Sequence, residues 1–323
     1  MGRYQGSKFY SQGKIKVRKV FALLISMMLV LSLIPAMAFA DDGSKPSTGG
    51  EIEAPAAPTV PQNVRVSVNG SGLRVKWDKL DGAKSYAVYR SYRKLTGWKL
   101  LKKGIKGSSY TDKKVKSGKK AYYKVRALKA NGKYTNRSNI VSGRIYRVYI
   151  ETGHGRGDDG VWDPGCAWNG YQEAKLMIPV CKAATKYLRA KGVYVYTDAY
   201  NRNNKNLNET LKFVKTHSVS VLLNVHCDYY KAPRGTMPLY RYSDQKKLAR
   251  CLNKGVHKYV QTKDRGLVKR TDLRTLNNTK DYCTACLFET GSIRKDNKLL
   301  RTKYDAIGKG LAKGTCEYLG IKW

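Results

Sequence analysis

The sequence predicts two folded domains in series, an all-β sandwich followed by an α/β domain with a mostly parallel sheet flanked by helices. In residues 59–144, short runs of alternating apolar and polar residues are separated by turn signals, the pattern of half-buried antiparallel strands. In residues 145–323, short apolar runs alternate with amphipathic patterns of helical spacing, which is typical of a parallel sheet covered by helices. A chain of 323 residues with 41% hydrophobic content is long enough to bury two modest cores.

Residues 1–40 have the composition of an export signal. A basic start is followed by an apolar stretch over residues 20–34 and by the small-residue sequence Ala38-Phe39-Ala40. We therefore predict a cleaved signal peptide and a secreted protein. The alternative is an uncleaved membrane anchor, because the stretch comes close to the ~20 apolar residues that span a bilayer. Pro35 and the Ala-Phe-Ala site favour cleavage, and residues 41–58 are predicted to form a flexible linker.

The first domain resembles a known family in several segments. In Leu73-Arg74-Val75-Lys76-Trp77 the apolar residues share one face of a strand, and the same alternation recurs in residues 123–127. The segments that carry the resemblance are Val75-Lys76-Trp77 and residues 82–90, 109–112 and 122–127. In this order they resemble a fibronectin type III domain over nearly all of residues 59–144. The resemblance implies a seven-stranded sandwich that acts as a spacer or adhesive module, without catalytic residues.

The second domain is predicted to alternate strands and helices. An apolar strand over residues 148–150 is followed by a helix over residues 171–191, in which apolar residues recur three and four apart and which Gly192 ends. The nearly all-apolar run over residues 219–225 is typical of a strand buried inside a parallel sheet. The remaining predicted elements are strands over residues 193–196 and 284–288 and helices over residues 206–216, 243–260 and 304–319.

Three candidate site residues follow predicted strands directly. His154 comes after the first strand, His226 after the buried strand and Glu289 after the last strand. Because parallel strands share a carboxyl edge, we expect these side chains to converge there, and Glu173 can face the same edge from the first turn of the first helix. Two histidines and a glutamate from separate elements form the ligand set of a catalytic zinc site. His154, Glu173 and His226 are therefore candidate metal ligands.

Other carboxylates near these positions have simpler interpretations. Asp158, Asp159 and Asp163 lie in a loop rich in Gly and Asp and are predicted to form turns. Glu151 is predicted to support a neighbouring ligand from outside the ligand set. Asp228, two residues beyond the second histidine, is predicted to orient that ligand or to contact a substrate.

Four segments of the second domain match a family pattern in order. They are Glu151-Thr152-Gly153-His154-Gly155-Arg156, Glu173-Ala174, Asn224-Val225-His226-Cys227-Asp228 and Glu289-Thr290-Gly291-Ser292. With these segments, residues 147–323 resemble the zinc-dependent N-acetylmuramoyl-L-alanine amidases of the amidase 3 type. The resemblance implies that His154, Glu173 and His226 are zinc ligands and that Glu289 is the catalytic carboxylate. The chain departs from the family pattern at Glu151-Thr152, Asn224, Asp228 and Ser292, and keeps all four implied site residues.

The resemblance also implies a reaction, hydrolysis of the amide bond between N-acetylmuramic acid and L-alanine of the peptidoglycan stem peptide. Zinc lowers the pKa of a bound water to about 7 and polarises the scissile carbonyl. Glu289 would be the general base that takes the proton of the water and returns it to the departing nitrogen. Two alternatives stay open, a zinc peptidase that cuts a bond within the stem peptide and an inactive wall-binding or adhesive protein.

The chain is strongly basic, with 63 Lys and Arg against 23 Asp and Glu and a formal net charge of +40. In an intracellular protein this charge would indicate a nucleic-acid partner. Because the predicted signal peptide indicates export, we expect peptidoglycan and anionic wall polymers as partners instead, and no nucleic acid. The alternative is a surface that is only solvated. No second apolar run is long enough to span a membrane, so we expect the mature protein outside the cell or at the wall.

All seven cysteines lie in the second domain, an odd number that leaves at least one unpaired outside the cell. Cys283 and Cys286 have a CxxC spacing, but positions three apart on a strand point to opposite faces, which argues against a shared metal or a local disulfide. Cys227 likewise faces away from its neighbour His226, which argues against a cysteine nucleophile with a histidine base. The sequence leaves the pairing of the cysteines open.

Overall fold

The computed structural model describes residues 58–200 and 205–323. The predicted signal peptide and the predicted linker up to residue 57 lie outside the described residues. Within the described ranges, no helix has both the length and the apolar composition needed to cross a membrane.

The first part of the described chain forms two antiparallel sheets around one core. Its strands are β1 (Arg65–Asn69), β2 (Gly72–Lys76), β3 (Ala83–Ser91), β4 (Lys99–Ile105), β5 (Ser109–Asp112), β6 (Ala121–Lys129) and β7 (Val141–Gly143). One sheet has the order β1-β2-β5 and the other the order β4-β3-β6-β7. Val75 on β2, Val88 on β3 and Val125 on β6 are fully buried in the same cluster, so both sheets contribute to the core. The assignment of this part to the fibronectin type III family stays a prediction.

The second part contains a six-stranded sheet with helices on both faces. In chain order its elements are β8 (Arg147–Thr152), β9 (Gly155–Arg156), β10 (Trp162–Asp163), β11 (Ala167–Trp168), β12 (Tyr171–Gln172), α1 (Glu173–Ala190), β13 (Tyr194–Thr197), α2 (Leu207–Thr216), β14 (Val221–Asp228), β15 (Met237–Tyr240), α3 (Ser243–His257), β16 (Val268–Lys269), α4 (Arg274–Asn277), β17 (Thr284–Ser292), α5 (Asn297–Thr302) and α6 (Tyr304–Leu319). The sheet order is β13-β8-β14-β17-β15-β16. Every neighbouring pair is parallel except β15 and β17. The prediction of an α/β domain with a mostly parallel sheet is confirmed.

The alternation of side chains along β8 separates the two helical layers. Val148 and Ile150 point to one face, where they pack in a cluster with residues of α1, α3 and α6. Tyr149 points to the other face, where it packs with Val214 of α2 and Leu276 of α4. A strand buried on both sides has to be apolar at successive positions, which is why this run reads as continuous apolar sequence.

The sheet differs from the sequence prediction in two respects. The sequence pattern does not indicate β15 or β16, because both are short and β15 contains Pro238, which has no backbone N–H to donate. The last strand continues to Ser292, where it still pairs with the end of β14, instead of ending at residue 288. Glu289 therefore lies within β17 and opposite His226 in register, and does not follow the strand as predicted.

Helices α3 and α6 cross in backbone contact, because glycines occupy the crossing point. A Cβ atom on Gly310 would lie 2.4 Å from the Cα of Val256. A Cβ atom on Gly255 would lie 2.3 Å from the carbonyl oxygen of Gly310. These distances are far shorter than van der Waals contacts, so a larger residue at either position forces the helices apart.

We expect the added methyl group of Gly310→Ala to overpack the crossing at a cost of about 2 kcal/mol. Alanine gains about 1 kcal/mol over glycine in a helix interior, so the net destabilisation should be about 1 kcal/mol. The free energy of unfolding from guanidinium denaturation measures the effect. Gly107→Ala is the matched control, because a Cβ atom there meets nothing within 4 Å. Equal unfolding midpoints for Gly310→Ala and the wild type would show that the crossing is not tight.

Candidate metal centre

Three side chains from separate elements converge at the carboxyl edge of the sheet. His154 lies in the turn after β8, Glu173 is the first residue of α1 and His226 lies near the end of β14. One ligand atom from each residue lies within 4.8 Å of the other two. Glu173 lies between the rings, with Oε1 2.8 Å from Nδ1 of His226 and Oε2 3.4 Å from Nε2 of His154. The structure thus brings together the three residues that the sequence suggests as metal ligands.

The Glu173 carboxylate is buried and held in place from both sides. The backbone N–H of Cys166 donates to its Oε2 and the backbone N–H of Cys227 donates to its Oε1, each at 3.1 Å. Burial alone would raise the pKa of Glu173, but the hydrogen bond from His226 and the charges of the two histidines outweigh it and lower that pKa to about 2. Glu173 is therefore an anion at neutral pH, as a metal-binding carboxylate has to be.

Each histidine is also fixed through its outer ring nitrogen. Nδ1 of His154 lies 2.7 Å from Oδ2 of Asp163, and Nε2 of His226 lies 3.0 Å from Oδ1 of Asn224. Asn224 in turn donates from Nδ2 to the buried carboxyl group of Glu151. Partners of this kind fix the orientation and the tautomer of histidines that bind metals.

These hydrogen bonds determine what the inner ring nitrogens can do. The oxygens of Asp163 and Asn224 accept, so the outer nitrogens of His154 and His226 carry the ring protons. In the neutral rings, Nε2 of His154 and Nδ1 of His226 then present lone pairs toward Glu173. In the metal-free site a proton on Nδ1 of His226 makes the hydrogen bond to Glu173, and a metal ion would take the place of that proton. The donor set therefore fits a divalent metal such as zinc.

Two glycines allow the ligands to approach the backbone. A Cβ atom on Gly153 would lie 2.6 Å from Cε1 and Nδ1 of His226. A Cβ atom on Gly165 would lie 2.5 Å from the His154 ring and 2.7 Å from Oε2 of Glu173. Gly165 has φ +65°, and His154 itself has φ +62°, a region that residues with a side chain rarely adopt. Such backbone strain is typical of functional sites.

Glu289 adds a second buried carboxylate beside the cluster. It is the register partner of His226 on the adjacent parallel strand, so both side chains lie on the same face of the sheet. Its Oε2 atom is buried and has no hydrogen-bond partner among the described residues. Burial, with the charges of Glu173 and Asp228, raises the pKa of Glu289 well above its usual range, while Arg265 and Arg270 oppose this. A buried carboxyl group with a strongly raised pKa beside a candidate metal site is a candidate for proton transfer.

A cavity of about 420 Å³ opens beside the histidines. His154, His226 and Asn224 lie on its wall, so both imidazole rings are reachable from outside. Charged side chains of both signs line it, as do apolar ones. The cations are Arg156, Lys205 and Arg274, the acids are Glu151, Asp158, Asp163 and Asp272, and the apolar residues are Leu207, Leu273 and Leu287. The cavity thus combines a candidate metal site with charged and apolar walls, as a substrate site does.

The structure changes the interpretation of three polar residues. Asp163, predicted to form a turn, also holds His154, and the sequence offers no signal that separates it from Asp158 and Asp159. Asn224 was not predicted to act on the site, although it lies two positions before His226 and so shares its face of β14. Asp228, predicted to orient a ligand or contact substrate, forms an ion pair at 2.8 Å with Arg265.

The sequence that contains these site residues matches a known protein family. The family model for N-acetylmuramoyl-L-alanine amidases matches residues 148–317, a range that contains all four site residues. None of the curated proteins compared with the chain matches it.

Three solved structures illustrate the similarity. The N-acetylmuramoyl-L-alanine amidase from Clostridium difficile 630 is 24% identical, covers 56% of this chain and 100% of its own length and has a TM-score of 0.48. The N-acetylmuramoyl-L-alanine amidase AmiC2 of Nostoc punctiforme is 22% identical over 54% of this chain and 97% of its own, with a TM-score of 0.48. A Fn3-like protein from Clostridium thermocellum is 30% identical over 27% of this chain and 92% of its own, with a TM-score of 0.25.

We expect Asp163→Asn to weaken zinc binding by about 10–100-fold, because the ring of His154 loses the carboxylate that fixes its orientation. Titration with zinc against a competing chelator measures the change in affinity. Asp159→Asn is the matched control, since this carboxylate of the same loop accepts a local hydrogen bond from the backbone N–H of Val161. If both variants bind zinc as tightly as the wild type, Asp163 does not orient His154.

Proposed function

The chain belongs to the N-acetylmuramoyl-L-alanine amidase family, and on this premise we propose that it is a zinc-dependent hydrolase of the bacterial cell wall. Its substrate is peptidoglycan, and the bond it cleaves is the amide between N-acetylmuramic acid and L-alanine of the stem peptide. The observation that carries the proposal is the anionic Glu173 between two inward-facing imidazoles, next to the buried and unpartnered Oε2 of Glu289.

In this proposal Nε2 of His154, the Glu173 carboxylate and Nδ1 of His226 hold the zinc ion. When bound, zinc supplies a Lewis acid that lowers the pKa of water and polarises a carbonyl group. Asp163 and Asn224 keep the two rings in the tautomers that leave lone pairs facing inward. The amides of Cys166 and Cys227 keep Glu173 from rotating away.

Glu289 is the residue we propose to move protons. Its Oε2 accepts a proton from the attacking water and returns it to the nitrogen of L-alanine as the amide bond breaks. The raised pKa of this buried carboxyl group makes it a stronger base than an exposed glutamate once it is ionised. A cation nearby lowers the same pKa, because it favours the charged form. Burial and a bound cation thus shift the pKa of Glu289 in opposite directions.

The wall of the cavity carries both signs of charge. Arg156, Lys205 and Arg274 are the cations that would pair with the free carboxylates of stem peptides, beside four carboxyl groups of the wall itself. The net charge of +40 supports a second attraction, to phosphate-bearing polymers of the wall. Both partners are found outside the cell, so we further propose that the protein is secreted and that residues 1–40 are its signal peptide.

The first part of the chain is proposed to be a fibronectin type III-like domain of residues 59–144 that precedes a catalytic domain of residues 145–323. A contact between the two proposed domains supports a fixed orientation of one relative to the other. The buried guanidinium of Arg147, at the start of β8, donates to the backbone carbonyls of Ser71, at 2.6 Å, and Val115, at 2.9 Å. We therefore propose that this domain holds the catalytic domain at a set angle on the wall and is not a mobile tether.

We expect Glu289→Gln to lower the rate of amide hydrolysis by about 10²–10⁴-fold, because glutamine cannot accept the proton, while the zinc content is unchanged. Mass spectrometry of digested peptidoglycan measures the product, which is a whole stem peptide released from intact glycan. A chelator should stop the release by the wild type.

The control is Glu209→Gln, which removes an exposed glutamate in the first turn of α2 and should leave the rate unchanged. Three results would contradict the proposal. Fragments cut within the stem peptide would indicate a zinc peptidase, and absence of any product would indicate a wall-binding protein. Full activity of Glu289→Gln would assign the proton transfer to another group.

A further inference from the structure

Two cysteines lie side by side at the back of the candidate metal centre. The Sγ atoms of Cys166 and Cys227 lie within 4.8 Å of each other and of a carboxylate oxygen of Glu173. Both cysteines have free thiols. We infer that this pair is a redox-sensitive site that forms a disulfide, linking the loop before α1 to the end of β14.

The fold directs the two thiols toward each other. The thiol of Cys166 donates to the carbonyl oxygens of Cys227, at 3.4 Å, and of Asp228, at 3.6 Å, so it lies against the end of β14. The backbone N–H groups of both cysteines donate to the same carboxylate, which fixes the two backbone segments relative to each other. The sulfur atoms have to approach from this separation to bonding distance for the disulfide to form.

The two thiols differ in their exposure to solvent, and this difference determines which of them reacts first with an oxidant. Cys166 is half-buried and Cys227 is buried, with 2% of its surface exposed. A small-molecule disulfide therefore reaches Cys166 first, forms a mixed disulfide with it and releases one thiol. The sulfur of Cys227 then displaces the second thiol from Cys166. The protein loses two electrons and two protons, and one molecule of oxidant is reduced to two thiols.

The position of the cross-link means that it would affect how Glu173 is held. It would tie together the two segments whose amides hold Glu173, so that neither donor can move independently of the other. Reduction would restore that freedom. The remaining half-exposed cysteine, Cys251, lies on α3, where Glu317 and the basic residues around it are its charged neighbours, and it is the natural comparison.

The test uses the whole chain in the presence of EDTA, so that it does not depend on the proposed zinc site or on activity. The protein is incubated with oxidised glutathione, unfolded in the presence of an alkylating agent and digested without reduction. We expect mass spectrometry to find the peptides of Cys166 and Cys227 joined, with two fewer alkylated thiols than in the reduced protein. Cys251→Ser should keep the cross-link to the same extent, whereas in Cys166→Ser the Cys227 thiol should remain open to alkylation.

The inference is overturned if Cys166 carries glutathione while Cys227 is alkylated, because the second displacement then does not occur. It is also overturned if both thiols remain alkylatable in EDTA and are protected only by added zinc. That result would assign the pair, with Glu173, to a metal. Because mass spectrometry of the peptides detects the cross-link itself, the result does not depend on whether the protein hydrolyses peptidoglycan.

Discussion

The structure of the site depends on one buried carboxylate placed between two imidazole rings. Glu173 is almost fully buried, and a buried charge is costly unless hydrogen bonds and opposite charge compensate it. Here two backbone amides and His226 supply the hydrogen bonds, and the low pKa of Glu173 reports the balance. The same contacts fix where the proposed metal ligands lie. Loss of Glu173 would therefore remove a proposed ligand and also leave two backbone donors without a partner.

The fold supplies this arrangement through the edge of its parallel sheet. Strands β8, β14 and β17 lie side by side and parallel, so the residues at their carboxyl ends meet although they are far apart in sequence. Helix α1 begins at the same edge and contributes Glu173 as its first residue. Gly153 and Gly165 then let the backbone pass within contact distance of the rings. The geometry of the site is therefore set by the order of the strands, by the position where α1 begins and by the lack of side chains at Gly153 and Gly165.

The sequence predicts this convergence because it depends on strand ends, which apolar runs mark clearly. It does not predict which of three aspartates in one loop reaches His154, because that choice depends on the path of a loop without periodic pattern. The support from Asn224 could have been inferred, since residues two apart on a strand share a face. The extension of β17 past Glu289 could not, because Thr290-Gly291 resembles a turn and only pairing with β14 keeps it extended. The proximity of Cys166 and Cys227 is likewise set by tertiary contacts alone.

We propose that His154, Glu173 and His226 hold one zinc ion. Anomalous X-ray scattering at the zinc absorption edge, from crystals grown with zinc, tests this most directly. We expect one strong anomalous peak bounded by Nε2 of His154, the carboxylate of Glu173 and Nδ1 of His226. A peak bounded instead by the two sulfur atoms of Cys166 and Cys227, or no peak near Glu173, would contradict it.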